Sequence, residues 1–470
     1  MGRPFFVFHS LLQPSAFSYN MAMTDLAALV NKTVPFKFRG AELNLDLSHA
    51  LFSSFDVDAG TRLLLKAVGR DEVLLGARRI LDAGSGVGVI GLAMAAALPD
   101  CQVEARDRDL LACAFTERNR KRNKVKNLEV YPGLLSVRAP GLLPEGHPSG
   151  SYDYILTNIP AKAGGPVLEA FFLGAPSLLS PGGRLAVVIV NPLMDAARGW
   201  IAKAGFSIAG EERGANHHVF VCALCEGAVL AVSPAASSQA PAPSAASRAE
   251  SPEAAAAMVH PWPEEMQARA FDFSGLDLGL YLRSRGRFKL AGLEYQAAGI
   301  WGLPEFDTVG YGNVAAAELA LRALPGSLVR DVLIVGPGLG HLAIWAAKRL
   351  SPERIVAASR DLLSLAATGA NLAVQPGAGP AYLALSSLVL DELPAASFDL
   401  IAWNPDIVPE YDWMGPLWTE ASRLLKKGGA LIVHCPPTEL TRLSKRKPEG
   451  FRLLGDKKKK TFIASAWLRV

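Results

Sequence analysis

Short apolar runs bounded by charged or glycine-containing turns recur along both halves of the chain, each followed by a longer stretch with apolar residues at helical spacing. That alternation predicts parallel strands covered by helices, a doubly wound α/β arrangement in each half. In the first half, strands are expected near 79–81, 102–106, 128–131, 154–157 and 185–190, with helices after Gly88, Asp109, Gly165 and Pro192. Two last runs, 206–209 and 219–224, predict an antiparallel hairpin that closes the sheet. In front of it, residues 34–64 predict short β-structure and then a helix starting near Thr61, whose side chain would cap it.

The pattern occurs twice, at an offset of 252 residues. ILDAGSGVG, with Gly84, Gly86 and Gly88, returns as VLIVGPGLG, with Gly336, Gly338 and Gly340. The same offset maps Phe36 onto Phe288, Glu42 onto Glu294, Gly60 onto Gly312 and Asn119 onto Asn371. A match of this extent is a duplicated fold. Residues 233–257, between the copies, consist almost wholly of Ala, Pro and Ser and read as a linker with nothing large to bury. The expected organisation is an extension over 1–23 with Met21 or Met23 as an alternative start, a first domain over 24–230, a linker over 231–262 and a second domain over 263–470.

Composition narrows the function classes. Half the residues are hydrophobic and 20% are charged, as in a globular chain, and the net charge of +4 is too small to announce nucleic-acid binding by field strength. The first residues lack the features of a signal peptide, and no apolar run reaches the ~18 residues of a membrane helix, so a soluble cytoplasmic protein is expected. The five cysteines are scattered, which does not describe a disulfide framework. Cys222 and Cys225 form a CxxC behind His217 and His218, but HHVFVCAL reads as a strand that sends the two thiols to opposite faces. Core cysteines are expected, and no metal site.

The candidate chemistry lies at strand ends. A glycine loop between a strand and a helix lets a ligand approach the backbone, and its spacing selects the ligand. Here the loop reads GxGxG with Asp82 two residues before Gly84, followed by Ser85, Gly86 and Gly88. It lacks the spacing that places a pyrophosphate on the helix N-terminus and suits a phosphate-free ligand. S-adenosyl-L-methionine is such a ligand, and Asp82 would hold its amino end through the loop or a water. Asp107, 25 residues after Asp82, is placed for ribose hydroxyls, with Asp109 its near competitor. The same acids also suit a charged turn before a helix. A further strand ends at Asn158, Ile159 and Pro160. There an amide oxygen and a backbone carbonyl can accept from a substrate NH2 group, orienting it for direct displacement at a sulfonium methyl. Asn and Pro equally favour a plain turn.

LFSSFDVDAGTRLLL, ILDAGSGVGVIGLAMA, Asp107 with the ERN that ends at Asn119, and TNIPAKAG together resemble the class I S-adenosylmethionine-dependent methyltransferases of the "methyltransferase small" group. That group includes tandem-domain ribosomal-RNA guanine-N2 methyltransferases. The resemblance is strong over 34–224 and weaker over 285–470. It implies two tandem Rossmann-like methyltransferase domains, the second degenerate, with S-adenosyl-L-methionine as cofactor. It also implies that Asp82, Gly84 and Gly86 contact the methionine end, Asp107 the ribose and Asn158 the amine of a guanine in ribosomal RNA.

The chain departs from the group's pattern at Ala161, where an aromatic usually stacks on the base, and at Leu134, where an acid often meets the adenine. In the second copy Ile334 and Ser359 replace the carboxylates of Asp82 and Asp107, while Asn404 and Pro405 remain and Asp406 follows. Basic runs at 118–126 and 457–460, with Arg442, Lys445, Arg446 and Lys447, are candidate RNA contacts or solvated faces. Two further readings stand beside the RNA enzyme: a methyltransferase for a protein glutamine amide or a small molecule, and a silent RNA-binding scaffold. A nicotinamide oxidoreductase is disfavoured by the loop spacing.

Overall fold

The computed structural model describes residues 23–52, 54–135, 150–225, 276, 278–324, 328–377 and 379–470. The expected extension over 1–23 lies outside the described residues except for Met23, and the expected linker over 231–262 lies wholly outside them.

Each half opens with an antiparallel hairpin, β1 (Lys32–Phe38) with β2 (Ala41–Leu47) and β10 (Leu282–Leu290) with β11 (Leu293–Ile300). Val34, Phe36 and Phe38 alternate with exposed residues along β1, as one buried face requires. The first sheet is built from β3 (Arg79–Ala83), β4 (Gln102–Asp107), β5 (Leu128–Pro132), β6 (Tyr152–Asn158), β7 (Leu179–Val190), β8 (Phe206–Arg213) and β9 (His217–Leu224). The second is built from β12 (Asp331–Val335), β13 (Arg354–Ser359), β14 (Ala381–Ser386), β15 (Phe398–Trp403), β16 (Leu425–Cys435), β17 (Phe451–Lys459) and β18 (Phe462–Arg469).

Both sheets have seven strands in equivalent orders, β5-β4-β3-β6-β7-β9-β8 and β14-β13-β12-β15-β16-β18-β17. In each, the first five are parallel and the last two form the antiparallel closing hairpin. The two tandem Rossmann-like sheets anticipated from the sequence are present. The strand order reverses at β3, and on such a sheet ligands bind beyond the carboxyl ends of the strands at that point.

The repeat reaches individual hydrogen bonds. Asn119 is buried; its Nδ2 donates to the carbonyls of Val87 (2.9 Å) and Asp46 (3.1 Å), and its Oδ1 accepts from Asp46 N (2.8 Å). Asn371 does the same with Leu339 O (2.9 Å), Ala298 O (3.1 Å) and Ala298 N (2.7 Å). Each asparagine thus ties the hairpin to the glycine loop through backbone groups that burial would otherwise leave unpaired. Gly88 and Gly340 head equivalent helices at φ 87°, and a Cβ on Gly88 would stand 2.7 Å from a methyl of Thr116. Glycine is required there both for its angle and for its size.

The halves meet in a pseudo-twofold seam. Leu110 N donates to Arg360 O (3.0 Å) and Leu362 N to Arg108 O (3.2 Å). Arg108 lies 3.4 Å from Asp361, and Arg360 lies 3.7 Å from Asp109. These four residues are each other's counterparts at the 252-residue offset, so one patch meets its own copy, as in an isologous dimer. Leu134, Val167, Tyr281, Ile300, Leu303 and Leu363 pack an apolar core across the seam.

Three expectations are corrected or refined. The early helix is Ala59–Val68, and Asp58, not Thr61, caps it, accepting from Thr61 N. The first basic run is partly paired inside its own domain: Arg118 and Arg122 with Asp46, and Arg120 and Lys121 with Glu117. In the second, Lys457 and Lys459 pair with Glu318, and Lys460 donates to the Tyr311 hydroxyl (2.6 Å). Cys222 is buried in β9, where burial pushes its thiol up to about 12, whereas Cys225 is exposed. Among the described residues there is no metal-binding cluster, and no helix is long and apolar enough to cross a membrane.

Candidate active site

A cavity of ≈ 540 Å³ opens over the carboxyl ends of β3, β4 and β6. Gly84, Gly86, Asp107, Asn158, Ile159 and Pro160, all singled out from the sequence, line it. Asp82, Ser85 and Gly88 do not.

Asp82 is fully buried at the end of β3, where one carboxylate oxygen accepts from Gly91 N (2.8 Å) and the other has no partner among the described residues. Burial pushes its carboxyl up to about 7. It stands behind the glycine loop and fixes the start of helix Val89–Ala97. Ser85 is buried with its hydroxyl 3.4 Å from that of Thr116, and Gly88 is the helix cap described above. Gly84 (φ 83°) and Gly86 (φ 57°) face open space, since a Cβ on either would meet nothing within 4 Å. Here glycine keeps the floor bare, so that a ligand can lie on the backbone.

Asp107 ends β4. One carboxylate oxygen accepts from Gly86 N (2.9 Å) and the other from Asp109 N (2.9 Å), so the acid locks the loop while facing the cavity. Burial pushes its carboxyl above the usual range, opposed by those two amides. Its competitor Asp109 caps helix Leu110–Arg122 by accepting from Leu111 N (2.9 Å) and faces Arg360 across the seam.

Asn158, at the end of β6, is held by two hydrogen bonds. Its Nδ2 donates to the Asp58 carboxylate (3.0 Å) and to the Thr61 hydroxyl (2.9 Å). A carboxylate only accepts, so the amide's orientation follows from its partners, and Oδ1 is left free to accept from a ligand. Asp58 was not among the candidates chosen from the sequence, although it lies in the quoted DVDAGT segment as an acid just ahead of a helix. His217, Phe52, Arg108 and, from the second half, Tyr281 and Gly302 also line the cavity. Phe52 lies in the quoted LFSSFDVDAG segment and His217 before the CxxC, but neither was given a place at the site, because the fold alone gathers these residues.

The methyltransferase small domain model matches residues 42–198 and again 312–438. The chain belongs to the methyltransferase small domain family. It is 30% identical over 158 residues to an uncharacterized protein, YbxB, of Bacillus subtilis, covering 34% of this chain and 74% of that one. It is 31% identical over 184 residues to the ribosomal RNA small subunit methyltransferase C of Chromohalobacter salexigens, covering 38% of this chain and 51% of that enzyme. With the ribosomal RNA large subunit methyltransferase G of Streptomyces coelicolor the match is 33% over 153 residues, covering 30% and 36%. The chain thus matches about half or less of the length of these ribosomal RNA enzymes. A T. Thermophilus 16S rRNA N2 guanine methyltransferase, solved with AdoMet and guanosine, superposes with a TM-score of 0.56 at 20% identity, over 94% of this chain and 99% of that one. The tandem fold is therefore shared end to end.

S-adenosylmethionine is the cofactor of this family, and the site fits it. The bare floor at Gly84 and Gly86 accommodates a close-lying ligand, the Asp107 carboxylate beside it accepts from hydroxyls, and the cavity has the size of a small-molecule pocket.

Proposed function

We propose that the protein is an S-adenosylmethionine-dependent N-methyltransferase that modifies the exocyclic amine, N2, of a guanine in ribosomal RNA. The observation that carries this reading is the orientation of Asn158, whose NH2 group is engaged by Asp58 and Thr61 and whose oxygen faces the cavity. An acceptor so fixed selects a ligand that donates, as an exocyclic amine does. The backbone carbonyl of Ile159 is a second acceptor at the same turn. Two acceptors engaging the two N–H bonds would leave the amine lone pair directed along the cavity. When bound, the cofactor supplies an electrophilic methyl group on a sulfonium. The residues themselves orient and desolvate the amine, a contribution of alignment that requires no covalent enzyme intermediate.

Ribosomal RNA is favoured by the relatives' names and by Phe52. Ala161 is exposed and offers no aromatic face, but Phe52, 65% exposed, lines the same cavity and presents one from a different segment. A base leaving its stack needs such a surface. The deciding experiment is transfer of labelled methyl groups to unmodified ribosomal RNA, with nucleoside mass spectrometry of the product. N2-methylguanosine in the nucleoside digest, and loss of acid-precipitable label on ribonuclease treatment, are expected. Label that survives ribonuclease and co-purifies with protein would replace RNA by a glutamine amide. Cofactor binding without transfer to any fraction would leave a silent scaffold.

A further inference from the structure

We propose that the cofactor pocket of the first copy is a two-domain site, in which Tyr281 of the second half closes the purine end and hydrogen-bonds the base. The inference rests on the cofactor assignment above.

The order of the strands orders the pocket. From one side of the sheet to the other, the cavity is lined by Gly133 and Leu135 just beyond β5, Asp107 at β4, Gly84 beyond β3, Asn158 at β6 and His217 on β9. If Asp107 takes the ribose and Asn158 marks the methyl-transfer end, the purine falls on the β4–β5 side. There the walls are Ala112, Leu135 and Val167, which suit a flat apolar ring but cannot read its polar edge. Leu134, fully buried in the seam, offers no polar group either.

Tyr281 reaches that wall from across the seam. It ends the short turn Leu278–Tyr281, it packs with Leu134 and Val167, and its carbonyl accepts from Trp301 N (2.7 Å), which fixes the backbone. The side chain is 3% exposed and lines the cavity, yet its hydroxyl has no hydrogen-bond partner among the described residues. A buried phenol ordinarily finds a partner. Burial raises its pKa, so the hydroxyl stays protonated and able to donate. Next to it, Gly302 lines the cavity and its carbonyl accepts from Arg108 Nη2 (2.9 Å), the residue that follows Asp107. The ribose acid of one half is thus tied to the wall supplied by the other. A side chain on Gly164 would overlap the Trp301 indole, so the second half also presses on the turn that follows Asn158. On this account the second copy is retained because the first copy's pocket is incomplete without it.

The test uses the full chain and its Tyr281→Phe variant, which keeps the ring and removes the hydroxyl. Affinities for S-adenosylhomocysteine and for adenosine are measured by calorimetry, and the thermal midpoint is measured without ligand. Both ligands are expected to bind the variant roughly 5–15-fold more weakly, the effect of one hydrogen bond, because the loss is at the base that they share. The unliganded midpoint is expected to stay unchanged or rise, since the hydroxyl has no partner to lose. Affinities within twofold of wild type, a loss with S-adenosylhomocysteine alone, or a lowered unliganded midpoint would each overturn the proposal. Failure of the wild type to bind S-adenosylhomocysteine would instead remove the cofactor reading, and this inference with it.

Discussion

The two halves of the chain solve the same folding problem and differ in what they leave open at the sheet edge. In the first, the space above Gly84 is empty; in the second, a Cβ on Gly336 would stand 2.7 Å from the Asn404 carbonyl, so the strand end crowds the first glycine of the loop, while Gly338, like its counterpart Gly86, faces open space. Asn158 is held by Asp58 and Thr61, whereas Gly310 and Asn313 occupy those positions in the second half. Asn313 instead donates to Glu305 (2.7 Å), and the Asn404 amide turns back to Gly336 O (3.5 Å). A cavity of ≈ 390 Å³ remains there, and one of its walls is the ion pair of Arg360 with Asp406 (3.1 Å). What the copies share is a set of neutral groups that close backbone hydrogen bonds, Asn119 and Asn371 above all. What they do not share is the carboxylates. Holding the fold and holding a ligand are therefore separable demands, met by different residues of one loop system.

The sharpest way to break the comparison is at Asn158. Replacing it by alanine removes the oriented acceptor and leaves the glycine floor and Asp107 untouched. Methyl transfer is expected to fall roughly 10²-fold or more while cofactor affinity changes less than about twofold, read by single-turnover transfer beside calorimetry. A comparable loss in both quantities would mean that Asn158 serves the cofactor pocket and not the amine.

A second difference lies under the loop, where Asp82 in one half faces Ile334 in the other. Burial raises the Asp82 carboxyl from 3.8 to about 7 in the folded chain. The folded state therefore holds a proton that the unfolded state releases between about pH 4 and pH 7, and stability falls as pH rises through that window. Asp82→Asn is expected to flatten that slope and to gain up to about 4 kcal/mol relative to wild type at pH 8, followed by urea unfolding across pH. Equal slopes in the two proteins would show that the buried acid finds a compensating partner.

Much of this was legible beforehand, for a physical reason. Strand positions, the closing hairpin and the duplication depend on apolar periodicity and on glycines whose φ is positive, and both are local properties of the chain. The ends of β3, β4 and β6, singled out from the sequence, are where Gly84, Asp107 and Asn158 line one cavity. Asp82 was expected to act through the loop or a water, and the strand does carry it behind the loop, one layer below the cavity. Asp58, Phe52 and Tyr281 were not chosen because their importance is tertiary. Asp58 matters only when β6 brings Asn158 beside its helix cap, and Tyr281 only when the seam forms. The basic runs were legible only in part, since sequence shows the cations and hides the carboxylates of Asp46, Glu117 and Glu318 that the fold sets against some of them.

The shared part of the comparison can be tested with equal substitutions. Asn119→Ala and Asn371→Ala each leave one buried carbonyl of the glycine loop and a backbone pair of the hairpin without their partner. Each should destabilise its half by about 2–3 kcal/mol, by urea unfolding. A markedly smaller cost in the second half would mean that its scaffold, and not only its site, has relaxed.

The smallest effect is expected where intuition predicts a gain. Ser359→Asp restores to the second half the carboxylate that Asp107 gives the first. If one missing acid were the whole difference, calorimetry would report a second S-adenosylmethionine site. The geometry opposes that outcome: the Asn404 carbonyl covers Gly336, and Asp406 already engages the Arg360 beside it. Stoichiometry should stay at one per chain, with affinity changed less than about twofold, because a like charge is added beside Asp361 and Asp109 while the Asn404 carbonyl still crowds Gly336. A second site appearing in this variant would show that charge, rather than the closed strand end, is what silences the second copy.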